Sequence, residues 1–171
     1  MTRGQFVAGT DSSASALNDC FDPPRGNVYN AGVAQSIATG VAAETAVTFD
    51  SERDDAFGFH STSVNTSRLT VPAGCPGRYD LGANVRWQTN ATGTRRLSLW
   101  VNGVNTGLRI AHVIVPAVAG APIVMQICRI YPLVVGDYVE LAVAQDSGGN
   151  LTLDMTSAWA PELWWHWKSV S

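Results

Sequence analysis

Three histidines, His60, His112 and His166, carry the side chains best suited to moving protons near neutral pH, and they lie in three separate segments. No His-Glu-x-x-His pair, no Gly-x-Ser-x-Gly elbow and no glycine-rich phosphate loop stands anywhere in the chain. No catalytic residue is therefore assigned and no enzymatic activity is expected, although triads assembled from distant segments leave no linear signature. Asp50, Glu52, Asp54 and Asp55 offer oxygen ligands in one short run, but the run lacks the ligand spacing and the turn glycine of a calcium loop, and Arg53 interrupts it. It reads as a solvated loop. Asp137 after Gly136 reads as a turn ahead of a strand. Neither a metal nor a cofactor is expected.

Cys20, Cys75 and Cys128 are odd in number, far apart and outside any Cys-x-x-Cys pattern, so all three are expected as reduced thiols. Six tryptophans are many for this length, and Trp159, Trp164, Trp165 and Trp167 crowd the C-terminal end. Flat aromatic faces beside polar groups can stack on sugar rings, which makes these four a candidate ligand surface. Filling the interior or a subunit interface is the preferred reading, because aromatic rings are enriched in both places. The sequons at Asn65, Asn90 and Asn150 are read as coincidental.

The elements that must position these groups come from one domain: 171 residues leave no room for two ordinary ones. With 46% apolar and 15% charged residues the chain is not disordered, and a net charge of −3 gives no reason to expect nucleic acid as a partner. The apolar stretch from Ala111 to Tyr131 is broken by Pro116, Gly120, Pro122 and Gln126, so it does not read as a membrane helix. No apolar run of signal-peptide length follows Met1, and secretion is not expected.

Residues 1–26 differ from the rest. Asp11 or Ser12 can cap a short helix with Leu17 and Phe21 one turn apart, and Pro23-Pro24 stop it. Two turns of helix are not stable alone, so this arm, with Phe6, Leu17 and Phe21 as its apolar contacts, is expected to dock on a partner. From residue 27 onward the period becomes two. Tyr79, Leu81, Ala83, Val85 and Trp87 alternate with polar or small residues, as do Leu97, Leu99 and Val101 before Asn102-Gly103, a tight-turn pair. Val139, Leu141 and Val143 repeat the pattern, and Leu151, Leu153 and Met155 follow. Shorter strands are predicted near 28–29, 34–37, 46–49 and 68–71. Eight to ten short strands separated by turns indicate an all-β sandwich or jelly roll. Two strands, over 108–115 and 123–131, are apolar on nearly both faces, and a second buried face needs a partner. An oligomer is expected, with Ile110, Val113, Val124 and Ile127 in the interface.

The segments Thr48-Phe49-Asp50, Phe57-Gly58-Phe59-His60, Ser67-Arg68-Leu69-Thr70-Val71-Pro72, Gly77-Arg78-Tyr79-Asp80-Leu81, Leu99-Trp100-Val101-Asn102-Gly103 and Leu133-Val134-Val135-Gly136-Asp137-Tyr138-Val139-Glu140-Leu141 resemble, in this order, the globular head of complement subcomponent q and the related tumour necrosis factor jelly roll. The resemblance covers about residues 27–158 and implies a ten-stranded sandwich that forms trimers and binds ligands at outer loops or between subunits. The ending from Ser157 to Lys168 departs from that family, and no collagen stalk precedes the domain. Phe6-Val7-Ala8-Gly9-Thr10 with Ser13-Ala14-Ser15-Ala16-Leu17-Asn18 is instead similar to the opening of tail-associated proteins of tailed bacteriophages, as is Phe49-Asp50-Ser51-Glu52-Arg53-Asp54 to a segment of their jelly rolls. The expectation is a ten-stranded jelly roll over 27–171 behind a short helical docking arm over 1–26. Its implied role is a homotrimer in a virion, made in the bacterial cytoplasm, on the tail or tail tip and in contact with a host-surface glycan and other virion proteins. The alternatives are a head fibre or capsid decoration protein of the same fold, a free carbohydrate-binding lectin, and a cell-wall-degrading enzyme.

Overall fold

The computed structural model describes residues 23–32, 34–155 and 159–169. The helix expected before Pro23, with Phe6, Leu17, Cys20 and Phe21, lies outside the described residues. Within them the chain is all strand and connection, in the order β1 Arg25–Tyr29, β2 Ser36–Ile37, β3 Gly40–Ala46, β4 Ser51–Asp54, β5 Arg68–Thr70, β6 Gly77–Trp87, β7 Thr94–Val101, β8 Leu108–Pro116, β9 Ile123–Leu133, β10 Tyr138–Gln145, β11 Leu151–Thr152 and β12 Glu162–Ser169.

Two antiparallel sheets face each other. One has the order β4-β1-β12-β6-β9 and the other β5-β10-β7-β8, while β11 and β2 form a small ladder of their own. The alternation in β6 produces this directly: Tyr79, Leu81, Ala83, Val85 and Trp87 are buried and meet Leu97, Leu99, Val101, Val139, Leu141 and Val143 from the other sheet. β3 runs alongside β10, and just beyond it Val47 N–H donates to Leu141 O at 2.8 Å. This is the jelly roll that the spacing of the strands predicts.

Five segments differ from expectation. The strand predicted near 46–49 lies earlier, at Gly40–Ala46; Val47 and Phe49 are buried, but their backbone groups bond singly to Leu141 O and Thr66 O rather than in a ladder. The acidic run is not a solvated loop: Ser51–Asp54 is an edge strand on β1, where charged side chains discourage further pairing. Asn102-Gly103 opens a longer connection through 107, with positive φ at Asn102, Gly103 and Asn105, instead of a two-residue turn. The tryptophan-rich C-terminal segment is β12, central in the larger sheet between β1 and β6. β1 itself opens at Arg25, inside the segment assigned to the arm.

The turn before β7 depends on one glycine. Gly93 has φ +75°, and a Cβ there would lie 2.3 Å from Asp146 Oδ1 and 2.4 Å from the Asp146 carbonyl oxygen. That carboxylate accepts from Thr94 N–H and, at 3.0 Å, from Thr94 Oγ1. The Thr94 amide bond is the main reason why the Asp146 carboxyl sits below its usual 3.8, with smaller help from the Thr94 hydroxyl and Arg96. Gly93→Ala combines left-handed strain with a clash against backbone and is expected to cost about 3 kcal/mol. A urea unfolding midpoint unchanged from wild type would refute this.

Candidate self-association surface

β8 ends the smaller sheet and β9 ends the larger, so each is hydrogen-bonded along one side only, and the two lie against each other across the open side of the sandwich. Their inward side chains, among them Ile110, Val113, Val115, Ile123, Ile127 and Tyr131, pack against the core yet stay half-buried because nothing closes the sandwich there. Several outward side chains are apolar too: Ile114 is 46% exposed, Val124 55% and Ile130 50%, while Leu108, on the inward side where β8 begins, is 55% exposed. Of the four residues expected at an interface, Val124 stands outward and open, whereas Ile110, Val113 and Ile127 point inward at the open rim. Isolated apolar side chains are ordinary on a protein surface, but the half-buried inward side chains of these two edge strands line one open apolar rim between the sheets.

A bulge in β8 organises the neighbouring outer face. The register runs Leu99 to Ala111 and then Trp100 to Arg109, which leaves Ile110 as the extra residue and turns both Arg109 and His112 outward. There they meet Glu44 of β3, whose side chain is 2% exposed. Its carboxylate accepts from Ser98 Oγ at 2.9 Å and Trp100 Nε1 at 2.6 Å; Arg109 Nη2 approaches at 3.5 Å and stacks 4.7 Å above the Trp100 ring. His112 Nε2 is 4.0 Å from the same carboxylate. Serine, histidine and a carboxylate thus come together, which no motif announced because the three sit on different strands. The wiring is not that of a nucleophile, since Ser98 is fully buried and gives its hydrogen bond to Glu44. The arrangement clamps β3 to the sheet.

His112 carries a pH signature. Burial holds its imidazole below the ordinary 6.5, and the positive charges of Arg109 and Arg96 push the same way against the pull of Glu44. The unfolded chain takes up the proton first as the pH falls, so stability drops from pH 6.5 downward and levels once the folded state is protonated as well. In His112→Gln this segment of the stability–pH curve is expected to flatten. Urea midpoints measured between pH 7.5 and 4.5 check it, and equal curves for both proteins would show that His112 is not the group.

The remaining sequence candidates separate. Trp165 is fully buried between Phe59 and Tyr79, at centroid distances of 4.9 and 4.7 Å, and is therefore removed from the ligand surface. Trp167 points inward as well, half-buried, with its Nε1 donating to Pro76 O at 3.3 Å. Trp164 lies flat on the outer face over Gly82, where a Cβ would sit 2.3 Å from the indole, and Trp159 is 47% exposed beneath the Arg86 guanidinium. Of the four tryptophans, Trp164 and Trp159 stand on the outer face and the other two turn inward, so the four do not form one surface. The acidic run is spent internally: Asp54 pairs with Arg25, Glu52 with His60 at 2.9 Å, and Asp55 accepts from the Phe59 and His60 amides. Among the described residues no group of three or more His, Cys, Asp or Glu side chains is placed to hold a metal ion. Neither Cys75 nor Cys128 is in a disulfide, and Cys20 lies outside the described residues.

Compared with known proteins, the chain matches no family model and no curated protein by sequence. Solved structures do match. The globular domain of a zebrafish complement 1qA protein superposes with a TM-score of 0.58 at 14% identity, covering 86% of this chain and 99% of that one. Murine APRIL at pH 5.0 gives 0.62 at 12%, covering 84% and 98%. Eiger TNF from S. frugiperda gives 0.59 at 11%, covering 86% and 95%. At these identities the likeness is one of fold, and it agrees with the jelly roll described above.

Proposed function

We propose that this chain is a homotrimeric structural jelly roll of a tailed-phage particle, displayed outward on the tail or tail tip, docked to other virion proteins through residues 1–26 and contributing to attachment at the host surface. The observation that carries self-association is the pair of open, apolar edge strands β8 and β9. Completing the burial of one half-exposed valine or isoleucine is worth about 1 kcal/mol, so a face with several of them supports a standing complex at micromolar concentration. Three-fold closure follows the trimers implied by the sequence resemblance to complement and tumour necrosis factor jelly rolls, and the particle follows the phage-like opening around Phe6–Asn18. A non-enzymatic role agrees with the wiring of Ser98 to Glu44.

Light scattering tests the assembly, with three subunit masses expected and one subunit mass overturning it. Electron microscopy of particles labelled with an antibody against the chain tests the virion role and separates tail from head. A chain beginning at Pro23 is expected to fold and self-associate, because it retains Arg25 opposite His166 and the bond from Trp167 N–H to Pro24 O at 2.8 Å, yet to be missing from particles. Leu17→Asp with Phe21→Asp is expected to mimic that truncation. Incorporation at the wild-type level would remove the arm as the anchor.

A further inference from the structure

At the end of the sandwich where β4 leads into β5, the 55–67 connection borders an open cavity of about 240 Å³, lined among others by Gly58, Ser61, Val64, Asn65, Arg68 and Thr70. We propose that this cavity binds a single sugar ring bearing a carboxylate, with Arg68 as the group that recognises the charge.

The frame is built before any ligand arrives. Asp55 holds the 55–60 turn by accepting Phe59 N–H at 2.7 Å and His60 N–H at 3.1 Å. The His60 ring is fully buried and bridges Glu52 Oε1 at 2.9 Å and Thr66 O at 3.2 Å, which ties both ends of the connection together. Phe59 is 2% exposed and sits edge-on to Trp165 and Tyr79, so the floor is fixed to the core. Ser61 Oγ accepts from Val64 N–H at 3.2 Å and shapes the rim. A rigid cavity loses little entropy when a ligand enters.

One guanidinium at this site has donors to offer an anion. Arg25, Arg53, Arg86 and Arg109 each face a carboxylate. The Arg68 guanidinium does not: it lies 4.4 Å over the Tyr138 ring, a stacking that fixes its plane and leaves its N–H donors unspent. Its cross-strand neighbour Glu140 is committed to Ser67 Oγ at 2.6 Å and Val104 N–H at 3.0 Å. Glu52 and Asp55 are occupied by His60 and backbone amides. A planar guanidinium with open donors matches a carboxylate in a two-pronged geometry.

Size and lining turn the anion into a sugar acid. The cavity is below the range of drug-sized sites and suits one ring. The Ser61 and Thr70 hydroxyls and the Asn65 amide offer both donors and acceptors to ring hydroxyls, while Val64, 63% exposed, gives an apolar edge for ring C–H groups. The site lies within one subunit and depends on neither the trimer nor the virion.

The test is titration of the isotope-labelled full chain with sodium glucuronate, read by backbone amide shifts. Shifts confined to 58–70, with a Kd on the order of 1 mM, are expected. Arg68→Gln is expected to weaken binding about tenfold or more, and Val64→Trp, which fills the space, to abolish it while amides outside 58–70 keep their positions. Glucose and acetate at equal concentration should bind at least about tenfold more weakly than glucuronate. No shift, acetate binding as well as glucuronate, or an unchanged Arg68→Gln affinity would each overturn the proposal. A uronate-terminated oligosaccharide binding as well as the monosaccharide would place the natural source at a polymer end, and monosaccharide binding alone would make it a free sugar acid. Retention of binding in a monomeric variant would confirm that this site stands apart from assembly.

Discussion

Val124→Asp combined with Ile130→Asp is expected to yield a folded monomer. Both side chains point outward from β9 and are half exposed, at 55% and 50%, so in an isolated subunit the two carboxylates stay hydrated and fold stability should move by no more than about 0.5 kcal/mol each. In an assembled interface the same charges lose their water without a partner, at a cost of several kcal/mol per ion, and about 1.4 kcal/mol already changes an association constant tenfold. Light scattering of the double variant should give one subunit mass while circular dichroism keeps the wild-type strand signal. Ile127→Asp is the contrasting case. That side chain points into the rim and packs on the core, so it is expected to fail in folding before assembly can be asked about. Wild-type mass in the double variant would place the association surface elsewhere, with the outer face around Trp164 as the next region to probe.

The period-two pattern made the interior strands legible because β6, β7 and β10 each show one face to the core, and alternation is the linear image of that arrangement. β8 and β9 were legible as anomalies for the same reason: both are edge strands, with half-buried apolar residues at the rim and exposed apolar ones outside it. β12 carries the same signal with one exception: Leu163, Trp165 and Trp167 alternate with Glu162, His166 and Lys168, and only Trp164, which the space above Gly82 draws to the outer face, breaks the pattern. A glycine in an otherwise alternating strand was the available signal, since such a residue marks a close approach. The Glu44 cluster and the Arg68 cavity left no linear trace. The first joins β3, β7 and β8, and the second depends on a stack between β5 and β10, so both arise only after the sheets have formed.

Among the four C-terminal tryptophans, the largest single loss of stability is expected from Trp165→Ala. The ring is fully buried in the central strand β12, meets Phe59 at an interplanar angle of 83° and Tyr79 at 38°, and backs Gly26 of β1, where even a Cβ would come within 3.0 Å of its Nε1. Truncation leaves a cavity that these aromatic neighbours and the paired backbones of β1 and β6 cannot close, at a cost of about 4 kcal/mol. With a urea slope of about 2 kcal/mol/M for a domain of this size, the unfolding midpoint should fall by roughly 2 M. Trp165→Phe keeps an aromatic contact and should recover part of the loss. Trp159→Ala, at an exposed ring stacked on Arg86, should shift stability by about 0.5 kcal/mol or less. Equal midpoints for Trp159→Ala and Trp165→Ala would contradict the assignment of Trp165 to the core. The same pair of variants also separates stability from recognition: Trp165 supports Phe59 and through it the floor of the Arg68 cavity, so its loss should weaken glucuronate binding, whereas Trp159 touches neither and should leave that affinity unchanged.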